Sequence, residues 1–317
     1  MDELRIQAAF AIQNGLDFVA ASQTAPGGFI TDCWRSDGNE QRTQVDAIFT
    51  AAQVLYSLSF CPDSASARGT QERAAKYLMA QQKTPGVWSY YGQGTDIVIS
   101  PDVDDTSVSW AALQRFGAKI SPAALDAVRA SRNERGLFTT WVGDPSRWVN
   151  IDSRNIDTVV NLNALLLFGL VHEKIDSVCK FEIEQVESDG FRRGTVYYSS
   201  PLMFAHAFSR AYREGDVTCL QSAVPKIREA VLSMQNKDGS WGNDLETAFG
   251  AVTLLNLGYH GEALERAIKA ILARQSSDGG WALAPAYRGA VAPLNYGSRA
   301  VTTAVCIEAL AKYRAQK

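Results

Sequence analysis

The sequence has no excess of positive charge. Its 317 residues carry 31 Lys and Arg against 34 Asp and Glu, which leaves a net charge of −3. Proteins that bind nucleic acid need a strong basic excess on one face, and polybasic membrane anchors need clustered Lys and Arg. We therefore expect neither nucleic acid nor an anionic lipid surface as a partner.

Long apolar runs are missing as well. The richest stretch, 159–171, is interrupted by Asn161 and Asn163 and falls short of the ~18 residues that span a bilayer. The N-terminal segment is amphipathic and carries acids early, unlike a secretory signal. We predict a chain without a transmembrane segment and a cytoplasmic location.

Motifs for disulfides, zinc and phosphate are scarce. The five cysteines are scattered without a CxxC pair, and the three histidines lack the spacing of metal ligands. There is no DDxxD run, so class I chemistry with a metal-bound diphosphate is not expected, and neither GxSxG nor a phosphate-binding glycine loop occurs. We predict neither a disulfide framework nor a zinc site, as suits a reducing cytoplasm.

An internal repeat is present instead. The two clearest copies are 235–241 (QNKDGSW) and 275–281 (QSSDGGW), in which a Gln, an Asp-Gly turn and a Trp follow a helical pattern. Weaker copies begin at Gln23, Gln82, Arg132 and Gln185. Six units at intervals of this length are typical of helix-pair repeats.

Each unit predicts two helices of different character. The helix before the turn has apolar residues at 3–4 spacing, and glycine ends it by adopting a left-handed backbone. The helix after the turn is apolar nearly all round and should be buried. We predict an all-α fold in which residues 1–317 form a single (α/α)6 barrel, with the first helices outside and the second inside; an open solenoid is the alternative. Apart from one Asn-Gly pair inside a helical pattern, no strand signal competes.

The Gln-x-x-Asp-Gly-x-Trp units resemble the repeats of squalene–hopene cyclases, oxidosqualene cyclases and protein prenyltransferase β subunits. The resemblance implies that each Gln packs on its Trp and ties neighbouring outer helices together. It covers nearly the whole chain, but it implies a fold and not a reaction. The zinc-ligand set of the prenyltransferases has no counterpart in this sequence.

The chemical signal is the segment 101–106 (PDVDDT), which resembles the DxDDT motif of class II terpene cyclases. The resemblance implies that Asp104 protonates an alkene, with Asp102 and Asp105 as supporting acids. Three carboxyls within four residues cannot all ionise cheaply, so one should stay protonated. The structural alternative is that Asp105 only caps a helix and Asp102 is a solvated loop acid.

Aromatic residues cluster in the loops after the repeat turns, where they could line one mouth of the barrel. Their faces stabilise carbocations by cation–π attraction without supplying a strong nucleophile. Core packing is the alternative for each. The candidates for contact with substrate are Trp88, Tyr90, Trp110, Trp141, Trp148 and Tyr197.

A prenyl diphosphate substrate would need cationic anchors. Arg299 begins the last inner helix, where its charge opposes the helix dipole, and this makes it the chosen candidate. The resemblance implies that a His, or an Asn with water, holds the acid; Asn161 or Asn163 and His206 are the options. Mg²⁺ could assist diphosphate binding, although no ligand set is recognisable. Other arginines in the same loops are Arg147, Arg154, Arg192, Arg193 and Arg288.

Together these patterns predict a class II terpene cyclase, of isomerase or lyase type, that acts on a small-molecule isoprenoid, such as a C15 or C20 prenyl diphosphate. The cyclases that it resembles usually add a second, γ-type barrel, for which this chain has no length. A homodimer or a partner subunit could cover the mouth, or one barrel could suffice. The alternatives are a non-catalytic isoprenoid-binding or scaffolding barrel, and a carbohydrate-active barrel that pairs Asp104 with Asp157.

Overall fold

The computed structural model describes residues 3–37, 41–61, 64–92, 99–143, 156–289 and 293–316. Helices dominate them. The outer helices are α1 (Glu3–Ser22), α3 (Ala65–Ala80), α5 (Pro122–Arg129), α7 (Asp176–Glu187), α9 (Val224–Ser233) and α11 (Glu262–Ala273). The inner helices are α2 (Ile48–Leu58), α4 (Val103–Arg115), α6 (Thr158–Gly169), α8 (Pro201–Glu214), α10 (Asp244–Asn256) and α12 (Arg299–Ala315).

The inner helices form a closed ring. Each packs against the next along the chain, and α12 packs back against α2. The outer helices surround this ring, each packed against the inner helix that precedes it in the chain, and α1 packs against α12. This closure confirms the predicted α/α barrel and excludes the open solenoid.

Burial separates the two rings as the sequence pattern predicts. The inner helix α6 buries every residue from Thr158 to Phe168, because it is covered both by its neighbours and by the outer ring. The outer helix α11 buries only one stripe, which includes Leu264, Ile268 and Ile271. The apolar core therefore lies within and between the rings.

The repeat turns fasten the outer ring through hydrogen bonds. The Gln235 Nε2 atom donates to the carbonyl of Ala263 on the next outer helix, at 2.8 Å. Gln275 makes the same bond to Ala11 of α1, also at 2.8 Å, and so joins the last repeat to the first. The Trp241 indole donates to the carbonyl of Val231 at 2.8 Å.

A small antiparallel sheet lies outside the helical prediction. Its strands are β1 (Ile30–Arg35), β2 (Arg42–Asp46), β3 (Tyr287–Arg288) and β4 (Leu294–Gly297), in the order β2-β1-β4-β3. In its register Asp32 is opposite Gly297 and Tyr287 is opposite Tyr296. The expectation of no strands was wrong because the strands are short and the pairing that joins the two halves of the sheet, β1 with β4, links opposite ends of the chain.

One cysteine prediction was also wrong. Cys179 of α7 and Cys219 of the 3-10 turn Thr218–Ala223 form a disulfide that fastens the outer face of the barrel. The two cysteines are 40 residues apart in sequence, so their spacing does not predict the disulfide. Among the helices of the described residues, none combines the length and apolar character needed to cross a membrane.

Candidate active site

The start of α4 places the three aspartates of the 101–106 segment. Asp102 caps the helix, and its carboxylate accepts a hydrogen bond from the Asp105 backbone N–H at 2.7 Å. Asp104 and Asp105 follow in the first turn, where the helix dipole favours negative charge. The next residue, Thr106, accepts from the Trp88 backbone N–H at 3.1 Å, so the repeat turn is tied to the helix that carries the acids.

These aspartates line a cavity of about 240 Å³. Its walls come from the N-terminal ends of inner helices, the loops that precede them, and strands β3 and β4. Aromatic and aliphatic side chains predominate over polar ones. The lining residues are Phe49, Tyr90, Tyr91, Ile99, Asp102, Asp104, Asp105, Thr140, Trp141, Val160, Tyr197, Tyr198, Tyr287, Arg288, Gly289, Leu294 and Tyr296.

The Asp104 carboxyl is half-buried and held at both oxygens. The Asn163 amide Nδ2 donates to Oδ1 at 2.6 Å, and the Tyr198 hydroxyl donates to Oδ2. Burial raises the pKa of Asp104 to about 7, against the lowering effect of the hydrogen bond from Tyr198, and the charges of Asp102 and Asp157 also raise it. Asp104 is therefore a carboxylic acid that is largely protonated below neutral pH.

Asp102 and Asp105 behave as one buried pair. Both are buried, and burial raises the pKa of each above its ordinary value. The carboxyl of Asp105 lies beside that of Asp102, which raises its pKa further, while the Lys83 ammonium partly offsets the effect. Like charges this close do not both ionise, so the pair shares one negative charge.

Four tyrosines form the aromatic wall opposite the helix ends. The ring centroid of Tyr90 lies 4.8 Å from that of Tyr91, 5.5 Å from that of Tyr287 and 5.4 Å from that of Tyr296. The Tyr90 hydroxyl donates to that of Tyr287 at 3.1 Å. Burial raises the pKa of Tyr287 to about 12, so its phenol stays neutral and is a poor nucleophile.

The predicted substrate contacts divide into two groups. Tyr90, Trp141 and Tyr197 line the cavity together with the three aspartates. Trp88 and Trp110 do not: their indoles donate to the carbonyls of Leu78 and Gly86 at 2.7 and 2.8 Å, and both residues are buried. The Trp88 indole therefore makes the same kind of hydrogen bond as that of Trp241, to a carbonyl of the preceding outer helix, and Trp88 belongs to the repeat turn. Trp148, Arg147 and Arg154 lie outside the described residues.

Asn161 occupies the same place in its repeat that a threonine occupies in two others. It lies four residues after the cap of α6, as Thr106 does in α4 and Thr247 in α10. Its Oδ1 accepts from the Phe138 backbone N–H at 2.9 Å, and its Nδ2 donates to the Phe138 carbonyl at 2.9 Å. Its side chain is therefore engaged in the turn and is not among the residues that line the cavity.

His206 and Arg299 are likewise absent from the cavity lining that the structure describes. His206 is buried with its ring centroid 4.4 Å from that of Phe249, and burial lowers its pKa well below the ordinary value. Arg299 donates to both carboxylate oxygens of Asp278, at 2.9 and 3.0 Å, and lies over the Phe18 ring. The Asp278 carboxylate thus offsets the unfavourable dipole that made Arg299 a candidate.

Of the two residues that hold the acid, the sequence predicts Asn163 only as an alternative to Asn161, and it does not predict Tyr198. Alignment of the inner-helix caps favours Asn163, because it assigns Asn161 to the repeat turn. Nothing in the sequence marks Tyr198, since its position depends on how the loop before α8 packs against α4.

The donor set near the acids does not suit Mg²⁺. In the part of the chain that the structure describes, no three His, Cys, Asp or Glu side chains are grouped to hold a metal ion. Asp102 is engaged as a helix cap and in the pair with Asp105, and Asp104 is held by two hydrogen-bond donors. The residues present therefore support no step through a metal.

Comparison with known proteins gives structural relatives only. No protein-family model matches the sequence, and no curated protein matches it. The type II terpene cyclase MstE from Scytonema matches 99% of this chain and 99% of its own, with 16% identity and a TM-score of 0.80. The same enzyme in complex with geranylgeranyl dihydroxybenzoate, described as its substrate, gives a TM-score of 0.81 at 15% identity.

Two further structures have the same barrel. ent-Copalyl diphosphate synthase from Streptomyces platensis matches 84% of this chain and 50% of its own, with 18% identity and a TM-score of 0.59. A possible member of the GH105 family from Salmonella enterica matches 98% of this chain and 94% of its own, at 12% identity and a TM-score of 0.64. At such identities the likeness establishes the fold and not the reaction. The chain therefore has the helical barrel fold found in the type II terpene cyclases.

Proposed function

We propose that this protein is a class II terpene cyclase that starts ring formation by protonating a terminal alkene with Asp104. The observation that carries the proposal is the state of Asp104: a carboxyl with its pKa raised to about 7 in the wall of an aromatic cavity. A general acid must be protonated at the working pH and lie within reach of the reacting atom. Among the described acids that line this cavity, Asp104 is the one held by side-chain donors at both oxygens.

The reaction conserves atoms. The alkene π electrons take the Asp104 proton to form a C–H bond, and the adjacent carbon becomes a cation. Further alkenes attack in turn, forming ring C–C bonds, until a final proton is lost and a new alkene remains. The product is an isomer of the substrate, and Asp104 regains its proton before the next turnover.

The walls suit the intermediates of this reaction. Stacked and edge-on aromatic rings lie beside the aspartates, and aromatic faces stabilise a cation by about 0.5–2 kcal/mol each when water is absent. The hydroxyls of Tyr90, Tyr91, Tyr287 and Tyr296 bond to one another or to Thr50, which engages them in the wall and away from the cation. Excluding water also prevents premature quenching.

The substrate that we propose is a linear C15 or C20 isoprenoid with an anionic head, such as a prenyl diphosphate that is retained through cyclisation. Arg288 of β3 supports this choice, because it lines the cavity and is exposed at its edge. A guanidinium binds a phosphate or a carboxylate with two hydrogen bonds. MstE binds a geranylgeranyl dihydroxybenzoate, so a prenylated aromatic acid is a second substrate to test.

The site geometry weighs against the two other functions. A scaffolding barrel should have a collapsed or open interior with the acids in exposed caps, whereas Asp102 and Asp105 are buried beside a cavity. A carbohydrate-active barrel needs two opposed carboxyls with substrate between them. Asp157 instead caps α6, accepting from the Val159 backbone N–H at 2.8 Å, and is not among the cavity-lining residues.

The test compares wild type with Asp104→Asn in D₂O, using farnesyl and geranylgeranyl diphosphate and a geranylgeranylated hydroxybenzoate. Wild type should give a cyclic isomer that keeps its head group and carries one deuterium from the acid. Asp104→Asn should lose at least about 100-fold in kcat, the usual contribution of a general acid. Asp126→Asn, at an exposed position on α5, is the matched control and should keep full activity.

Three results would reject this function. The first is equal product from wild type and Asp104→Asn. The second is no cyclic product from wild type with any of the three substrates. The third is release of diphosphate without deuterium incorporation, because ionisation would then replace protonation.

A further inference from the structure

Arg210 of α8 is a buried cation close to the proposed acid. The residue is 3% exposed, its Nη2 donates to the Asn163 Oδ1, and its guanidinium carbon lies 4.8 Å from the centroid of the Tyr56 ring. In the described part of the chain, its Nε atom has no hydrogen-bond partner and no carboxylate forms an ion pair with it. Glu214, on the same helix, is bound by Arg115 at 3.0 Å and Lys312 at 2.8 Å.

Such a residue is costly for the fold. Arginine stays protonated in proteins, and a buried charge without an ionic partner is strongly destabilising. One hydrogen bond and one aromatic face offset only part of that cost. An apolar side chain of similar length would serve packing better. A task that only a guanidinium performs would account for an arginine at this position.

The task follows from the polarity of hydrogen bonds. A guanidinium only donates, whereas an asparagine amide donates through Nδ2 and accepts through Oδ1. Arg210 therefore holds Oδ1 toward itself and turns Nδ2 toward Asp104. Without Arg210 the amide could rotate by half a turn and present either atom to the acid.

The amide orientation decides where Asp104 carries its proton. Because Nδ2 only donates, it favours Oδ1 as the unprotonated oxygen, and the proton of the neutral acid is favoured on Oδ2. The Tyr198 hydroxyl, which donates to Oδ2, can also accept from it, so a protonated Oδ2 keeps a compatible partner. Once the proton has left, both donors stabilise the carboxylate.

We propose that Arg210 is a positioning residue, which fixes the Asn163 amide so that the transferable proton of Asp104 stays on Oδ2. This inference rests on the proposed function, in which Asp104 is the acid that protonates the substrate. It concerns a residue that does not line the cavity and acts only through Asn163.

Loss of Arg210 has a defined consequence. A rotated amide would accept the Asp104 proton through its own Oδ1 and hold it away from the substrate. The ionised Asp104 would then also lose one of its two donors. Asp104 becomes a weaker acid that titrates at higher pH, because a hydrogen bond to the charged form is what lowers its pKa.

The experiment measures kcat, KM and the pH profile of Arg210→Met. We expect kcat to fall roughly 10- to 100-fold, within the range for general acid catalysis, with KM changed less than about twofold. The decline of kcat at high pH should move upward by about 1 pH unit, as expected for one lost bond to a carboxylate. If the Met variant does not fold, Arg210→Gln, which is no longer donor-only, should move the profile in the same direction.

Two control experiments distinguish a positioning role of Arg210 from a general loss of stability. Arg115→Met removes a second guanidinium that lies 5.3 Å from the Tyr56 ring but bonds Glu214 and not Asn163. It should lower stability without moving the pH profile. In Asn163→Ala, adding Arg210→Met should have no further effect on kcat, since residues that act through one another are not additive.

The outcomes distinguish this inference from the proposed function. Titration of the Asp104 carboxyl by ¹³C NMR, assigned with Asp104→Asn, needs no substrate and should show the same upward movement in Arg210→Met. Suppose that the activity of wild type depends on Asp104 but the pH profile of kcat is unchanged in Arg210→Met. That result, or additive effects on kcat in the Asn163→Ala/Arg210→Met double variant, would overturn the role of Arg210 alone. Inactive wild type with the carboxyl movement present would overturn the cyclase function alone.

Discussion

Asp104 combines two opposing influences. Burial and the neighbouring carboxyls favour its neutral form, whereas the hydrogen bonds from Tyr198 and Asn163 favour its anion. The first influence keeps a proton available near neutral pH, and the second lowers the cost of giving it up. In the proposed reaction the acid alone does not suffice, because an alkene is a far weaker base than a carboxylate. The proposal therefore requires that the aromatic wall and the C–C bonds formed during ring closure supply the remaining driving force.

The raised pKa of Asp104 also predicts how stability depends on pH. A carboxyl whose pKa is higher in the folded than in the unfolded state contributes stability that is complete below about 4 and lost as pH rises through about 7. Asp104→Asn, which remains neutral, escapes this loss. We expect it to be more stable than wild type by about 2–4 kcal/mol at pH 8, and by little at pH 4.

Urea unfolding at several pH values measures this difference. Asp17→Asn on the exposed face of α1 is the control, because it changes the net charge equally without touching the cavity. A difference between Asp104→Asn and wild type that stays constant from pH 4 to pH 8 would show that burial does not hold Asp104 in its neutral form.

The sequence singles out Asp104 as the proposed acid but not the residues that hold it. The motif points to one of its carboxyls, because three carboxyls in four residues constrain one another wherever they lie. Asn163 is two residues from Asn161, and two helical positions differ by about 200° in direction. One of them faces the repeat turn and the other faces Asp104. That choice depends on how α6 rotates against α4, which no local pattern encodes.

At the scale of elements, the starts of the inner helices α4 and α10 are tied in the same way to the repeat turns before them. Thr106 and Thr247 are both buried and accept from the backbone N–H of Trp88 and Trp241, at 3.1 and 3.2 Å. The threonine four residues after the helix cap therefore makes the same hydrogen bond in α4, which carries the aspartates, and in α10, which does not. The threonine of the aspartate motif is thus a structural residue of the barrel.

The matched pair Thr106→Val and Thr247→Val tests this equivalence. Each change keeps the side-chain shape but leaves a buried N–H without its acceptor, which costs about 1–3 kcal/mol. We expect similar losses in the free energy of unfolding, and kcat within about threefold of wild type for both. Loss of activity in Thr106→Val with unchanged stability would instead give this threonine a part in the chemistry.

Predictability differed between the two kinds of element. The twelve helices were foreseeable because each repeat contains its own stop, turn and apolar helix, so the pattern is local. The sheet was not, since β1 pairs with β4 from the other end of the chain and neither strand alternates strongly. This sheet carries Tyr287, Arg288, Leu294 and Tyr296 into the cavity wall. The aromatic half of the site therefore depends on a long-range pairing.

At the scale of the whole molecule, the first and last repeats meet. Gln275 bonds the carbonyl of Ala11, α12 packs between α1 and α2, and β4 pairs with β1. These contacts bring the two ends of the chain to the same side of the barrel. The sheet built from them lies where the cavity wall is not supplied by helix ends. The sheet thus forms part of the enclosure of the cavity.

This arrangement predicts an enzyme whose site is complete in one chain. The sequence left open whether a homodimer or a partner subunit covers the mouth. Helix ends, the loops before them and strands β3 and β4 already surround the described part of the cavity, and Asp104 is half-buried among them. If no second chain is needed, the turnover per chain should not change over a roughly thousandfold dilution, because a bimolecular contact would dissociate by mass action. The measurement is cyclisation rate against protein concentration, with the mass in solution recorded by light scattering.

Phe10→Ser, which removes the 70%-exposed aromatic residue of α1, controls for non-specific association and should leave the rate unchanged. A rate per chain that falls on dilution together with the mass would mean that another subunit closes the cavity, and that water reaches Asp104 in the separate chain.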